Sequence, residues 1–173
     1  LPVWMRLRHN HNKPPRGYRV QYPGAWTTVT TIGGLQASSI FPNPSRGFTD
    51  EKLKSLTYDH LDWNYADHKS SSFSRRTTST STSAPSGGSP FISIFTDLLH
   101  AEDWAMKWNQ RNSGSGKSPA RILEIDCGKI TRLLSVKEVV DSLGIVIEGL
   151  EPEQYEDEYL AVNQIPAEAI LKE

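Results

Sequence analysis

Pro90-Phe-Ile-Ser-Ile-Phe-Thr-Asp-Leu-Leu-His-Ala-Glu-Asp-Trp-Ala105 changes its hydrophobic period halfway along. Its first six residues are a short run of aromatic and β-branched side chains, which predicts a strand. Thr96 and Asp97 then offer a helix cap. Leu98, Ala101, Trp104, Ala105 and Trp108 follow on one helical stripe, so a helix is expected over 98–108.

Upstream, Gly17-Tyr-Arg-Val-Gln-Tyr22 alternates and stops at Pro23-Gly24. That reads as a strand with Arg19 on one face and Tyr18 and Val20 on the other. Thr49-Asp50-Glu51 opens a helix that runs to Trp63 on Leu53, Leu56 and Leu61. Downstream, 121–127 reads as a strand, and Val136 to Leu143 as a short helix begun by Ser135. Ile145-Val-Ile147 is a further apolar run. The segments 158–162 and 167–170 are strand-like, separated by Asn163-Gln-Ile-Pro166. Strands and helices do not alternate regularly, so the expected class is α+β rather than a doubly wound sheet.

The chain of 173 residues is one domain's worth. Residues 1–15 read as an irregular lead-in, and 26–48, rich in Thr, Ser, Gly, Pro and Asn, as a long, partly ordered loop. The Ser/Thr-rich tract at 70–89 lacks the apolar area that would offset its ordering entropy, so a flexible loop within the domain is expected there.

A net charge of -1, from 19 basic and 20 acidic residues, gives no one-signed field of the kind nucleic acid or anionic membranes require. The charges are nonetheless segregated. Arg6, Arg8, Lys13, Arg16 and Arg19 lie early, while Glu148 to Glu158 is acidic, which suits a ligand carrying both signs as well as it suits a solvated acidic loop. The lone Cys127 excludes an internal disulfide and reads as a small buried hydrophobe. No long apolar stretch occurs, so neither a signal peptide nor a membrane span is expected in these residues. A secreted effector and a cytoplasmic protein both remain open.

His9, His11, His60, His68 and His100 are scattered, and no metal-ligand spacing, Gly-rich phosphate loop or nucleophile elbow occurs, so no metal is expected. What remains is Arg19 and Ser93 in mid-strand, with Glu156 and Glu158 spaced i, i+2. An extended backbone would put both carboxylates on one face. Individually these residues also suit an exposed strand edge, a filler hydroxyl and a solvated turn.

Their order along the chain resembles the ADP-ribosyltransferases of the cholera and pertussis toxin type. Those enzymes carry an Arg on the first strand, a Ser-Thr-Ser strand and a Glu-x-Glu turn. The most specific match is Glu156-Asp-Glu-Tyr-Leu-Ala-Val-Asn-Gln-Ile-Pro166, in which the distance from the second Glu to the Ile-Pro pair equals that of the cholera-type toxins. The 90–105 segment also looks like domains of fungal proteins distantly related to this group.

The resemblance implies split mixed sheets with flanking helices around a cleft for NAD, the substrate. It implies that Arg19 binds the phosphate and adenine-side ribose, and that Ser93 orients Glu158. Glu158 would hold the nicotinamide ribose 2′-hydroxyl and favour the sugar cation, and Glu156 would act on an acceptor protein, through arginine. His60 would help hold the bound NAD. Tyr65 and Phe73 are both candidates to stack on nicotinamide. The chain departs from the pattern at Ser93-Ile-Phe95, which keeps only the first of three hydroxyls. Transfer to protein arginine, NAD hydrolysis and a non-catalytic interaction module on the same fold are therefore the alternatives.

Overall fold

A computed structural model of the chain describes residues 2–8, 12–41, 49–66 and 88–172. In chain order its elements are α1 (Val3–Arg8), β1 (Arg16–Gln21), β2 (Thr28–Val29), β3 (Leu35–Gln36), α2 (Asp50–Asn64), β4 (Phe91–Phe95) and α3 (Leu98–Arg111). After them come β5 (Arg121–Asp126), β6 (Leu133–Ser135), α4 (Val136–Leu143), β7 (Glu158–Val162), β8 (Gln164–Ile165) and β9 (Ile170–Lys172). The fold is α+β. A six-stranded sheet has the order β6-β7-β4-β1-β5-β9, and a three-stranded sheet the order β2-β3-β8. Two sheets were expected, but every pairing in them is antiparallel rather than mixed.

Alternation along β4 divides the core. Ile92 and Ile94 face a cluster with Leu123, Ile125, Cys127 and Ala161, whereas Phe91 faces one with Leu53, Leu61, Val136 and Leu160. Phe95 joins a third, with Val20, Ala101 and Trp104 of α3. Ser93, on the same side of β4 as Phe91 and Phe95, therefore falls at the seam between two apolar clusters.

Helix starts follow local chemistry. Thr49, Asp97 and Ser135 cap α2, α3 and α4, accepting from Lys52 N–H at 3.2 Å, Leu99 N–H at 2.9 Å and Glu138 N–H at 3.3 Å. Leu98, placed on the apolar stripe of α3 by its spacing, is exposed, because the buried face begins only at Ala101.

Several expectations are corrected. The lead-in contains a helix, α1, held by tertiary contacts. The Asp50 carboxylate accepts from the N–H groups of Val3 at 3.0 Å and Trp4 at 3.4 Å, and Trp4 is buried in the core. The loop read over 26–48 contains β2 and β3, and the separator after β7 contains β8. Two-residue strands have no period for a sequence to display. Residues 167–169 form a 3-10 turn that leads into β9, so only Ile170 of that expected strand is extended. The Ser/Thr-rich tract falls outside the described residues except for Gly88 and Ser89, as do His9, His11, His68 and Phe73.

Candidate active site

β1 and β4 pair at Tyr18 and Phe95 alone. Where this ladder lapses, Arg19 enters the gap. Its Nη1–H donates to the Ser93 carbonyl at 3.2 Å and its Nε–H to Gln21 Oε1 at 3.3 Å. Gln21 in turn donates to the Thr27 carbonyl at 2.9 Å, which fixes the acceptor. Arg19 is thus on an interior strand and buried, not on an exposed edge. These bonds use two of the guanidinium's five N–H donors. Burial lowers its pKa, and Tyr22 and Glu158 pull it back up.

Ser93 is reached from α2. His60 Nε2 lies 2.8 Å from Ser93 Oγ, and His60 Nδ1 lies 2.6 Å from Ser89 Oγ. Asn64, four residues along the same helix face, donates to Ser93 Oγ at 3.4 Å. Phe91 meets the His60 ring edge-on at 5.7 Å. Burial first, and the Arg19 charge second, push the His60 pKa down to about 3, so its ring is neutral. A neutral imidazole has one donor and one acceptor nitrogen, and both are engaged by serine hydroxyls. His60 therefore has no free ring nitrogen, and its hydrogen bonds end on Ser89 and Ser93.

Glu158 opens β7 opposite Phe95 and is 0% exposed. The Tyr65 hydroxyl, at the end of α2, donates to its Oε2, and Oε1 has no hydrogen-bond partner among the described residues. Burial raises the carboxyl pKa from 4.5 to about 7, against the opposing pull of Tyr65, Ser93 and His100. Ser93 acts by proximity, since no bond of regular geometry joins its hydroxyl to the carboxyl group. Arg19 is near enough to be felt electrostatically, yet forms no ion pair with Glu158.

Glu156 does not share this setting. Residues 155–157 are a turn, with Glu158 N–H donating to the Tyr155 carbonyl at 3.0 Å, so the two-residue period begins only at Glu158. Glu156 is exposed and lines a cavity of about 290 Å³ together with Tyr65, His100, Trp104, Lys107 and Asp157. His100 Nδ1 lies 2.8 Å from Asp157 Oδ1. Burial alone would lower the His100 pKa, but this hydrogen bond and charge raise it. A crevice among Arg19, Asn64, Ser93 and Trp104 has room for only about 10 Å³, roughly one water. Trp104 lines both spaces.

Arg19, His60, Ser93 and Glu158 are thus brought into one cluster, and Glu156 stands at the mouth of the adjoining cavity. Sequence reading missed Ser89 and Asn64 as partners of His60 and Ser93. It also did not foresee that the hydroxyl of Tyr65, one of the two candidates to stack on nicotinamide, clamps Glu158. The i, i+4 spacing of His60 and Asn64 was the only local signal. The two apolar residues replacing hydroxyls after Ser93 are core residues. Ile94 packs so closely on β1 that a Cβ at Gly17 would lie 2.3 Å from its Cγ2, and Phe95 packs on the His100 ring at 4.2 Å. Cys127 is buried, and burial raises its thiol pKa to about 11. Among the described residues no group of three or more His, Cys, Asp or Glu is arranged to hold a metal.

The chain belongs to the family described as Domain of unknown function (DUF7587), whose model matches residues 12–173. No curated protein matches it.

Proposed function

We propose that the chain is an NAD-consuming mono-ADP-ribosyltransferase that cleaves the nicotinamide–ribose bond and passes ADP-ribose to an arginine of an acceptor protein. The observation that carries this reading is the wholly buried Glu158 carboxyl. One of its oxygens is held by Tyr65 and, among the described residues, the other has no partner and the nearby Arg19 leaves three N–H donors unused. An unsatisfied buried acceptor is costly unless something fills it, and a ribose hydroxyl is a fitting donor. A guanidinium fork suits a pyrophosphate.

In this reading Arg19 binds the phosphates, and Ser89, His60 and Ser93 form a positioning relay for Glu158. The C–N bond breaks with its electron pair leaving on the nicotinamide nitrogen, which neutralises the ring. Glu158, as carboxylate, stabilises the sugar cation left behind. A nitrogen of the acceptor arginine then bonds the same carbon, and Glu156 takes the proton released. With water in place of arginine the same residues hydrolyse NAD. A dinucleotide needs more space than the crevice offers, so Trp104 must move for the crevice and the open cavity to join.

That closed crevice favours a second reading, a non-catalytic module that keeps the fold without turnover. Labelled NAD separates the two. On the first reading nicotinamide is released and an arginine analogue is labelled. Glu158→Ala then lowers both by about 10²–10³-fold, and Glu156→Ala loses transfer while retaining much of the hydrolysis. Wild type and Glu158→Ala behaving alike would discard catalysis. NAD-dependent thermal stabilisation without nicotinamide release would leave the module.

A further inference from the structure

At the far end of β7 from Glu158 lies a second cavity, of about 330 Å³, with Lys129, Thr131, Arg132, Asn163 and Glu168 in its wall. Arg132 precedes β6, is half-buried, and its guanidinium makes no hydrogen bond or ion pair among the described residues. Its backbone is fixed, because the Arg132 carbonyl accepts from Val162 N–H at 3.1 Å. A half-buried arginine on a fixed backbone, with no carboxylate paired to it among the described residues, keeps its guanidinium N–H donors available to an anion.

The neighbouring groups are also donors. Lys129 turns its ammonium to the backbone carbonyl of Glu168, at 3.3 Å, rather than to that residue's carboxylate. Asn163 is held in the left-handed region at φ 70, and its side-chain oxygen is already taken by Phe41 N–H at 2.5 Å. The polar group it has left is therefore its NH₂. Thr131 adds a hydroxyl. Lys13 places a further charge alongside, its ammonium on the carbonyls of Ile130 at 2.5 Å and Thr131 at 3.5 Å. Glu168 is the one acid in the wall.

We propose that this cavity binds the phosphate of a small phosphorylated molecule, with Arg132 as its principal ligand and Lys129, Thr131 and Asn163 completing the donor set. The size is at the lower end of small-ligand pockets, which fits a sugar phosphate better than a dinucleotide. The site is independent of the chemistry proposed at Glu158.

The test is a ¹H–¹⁵N NMR titration of the chain at low ionic strength with inorganic phosphate and with ribose 5-phosphate. Sodium chloride at matched ionic strength serves as the control. Saturable shifts confined to residues 129–132 and 163–168 are expected, with ribose 5-phosphate binding more tightly than phosphate alone. Arg132→Gln weakens both about tenfold, the value of one charge-assisted contact. Glu168→Gln removes the repelling acid and tightens both, a gain that a misfolded variant cannot mimic. Lys54→Gln, on α2, leaves them unchanged. Shifts that sodium chloride reproduces, or equal affinity in wild type and Arg132→Gln, overturn the proposal.

Discussion

Replacing Glu158 by Gln should change the pH dependence of stability by an amount set by the burial of its carboxyl. Its pKa stands at about 7 in the folded chain against 4.5 ordinarily, so the folded state holds this proton more tightly than the unfolded state does. The stability that Glu158 contributes is therefore complete below about pH 4.5 and is lost as the pH rises through 7. At roughly 1.4 kcal/mol for each tenfold change in proton affinity, the loss between pH 4 and pH 8 is about 3 kcal/mol. The group is wholly buried, so solvent screening does not reduce this figure appreciably. Gln keeps the shape of the protonated acid and cannot ionise. Relative to wild type, Glu158→Gln should thus gain about 3 kcal/mol over that range, or roughly 6–12 °C in Tm for a domain of this size. His60 titrates in the opposite sense: its depressed pKa gives stability that is lost as the pH falls from 6.5 towards 3. That contribution is common to both proteins and drops out of the difference. Urea unfolding of the two proteins at pH steps from 4 to 8 is the assay. A difference that stays constant within about 1 kcal/mol, or that grows towards acid, refutes the account of Glu158 as a buried acid.

On the catalytic reading the carboxylate form is the active one, so kcat/KM for nicotinamide release should rise to a plateau above about pH 7. A flat profile across that pH contradicts the role given to Glu158. Ser89→Ala removes the hydroxyl that meets His60 Nδ1 at 2.6 Å and accepts from Phe91 N–H at 3.1 Å. It should cost roughly 1–3 kcal/mol in chemical denaturation, and on the proposed function it should slow turnover without touching substrate. Gly17→Ala forces a methyl to within 2.3 Å of Ile94 Cγ2 and 3.1 Å of Cys127 Sγ, in a core with no slack. A loss of about 1–3 kcal/mol in urea unfolding is expected, and an unchanged midpoint would show that β1 and β4 are less tightly apposed than described.

The elements that were legible in the sequence are those whose signal is local. The strand into helix at 91–111, the Ser135 cap of α4 and the alternation of β1 all follow from propensity, capping and period, which operate within a few residues. The class α+β and the candidates Arg19, Ser93 and Glu158 came from the same short-range patterns, with a resemblance added for the candidates, and His60 came from the resemblance alone. What stayed hidden is held by long-range contacts. α1 is capped by Asp50, 47 residues later in the chain. The second sheet exists because β3 pairs with β8 across more than a hundred residues.

Residue type and spacing alone determined which side chains had the chemistry. Only the tertiary structure decided which of them share a site and in what state of charge. Glu156 and Glu158 are two positions apart, yet one is in solvent and the other is fully buried, because the strand begins between them. Burial and the Tyr65 clamp on Glu158, and the relay from Ser89 through His60 to Ser93, depend on how α2 packs across β4 and β7. Desolvation is a property of the assembled core, and no window of sequence contains it.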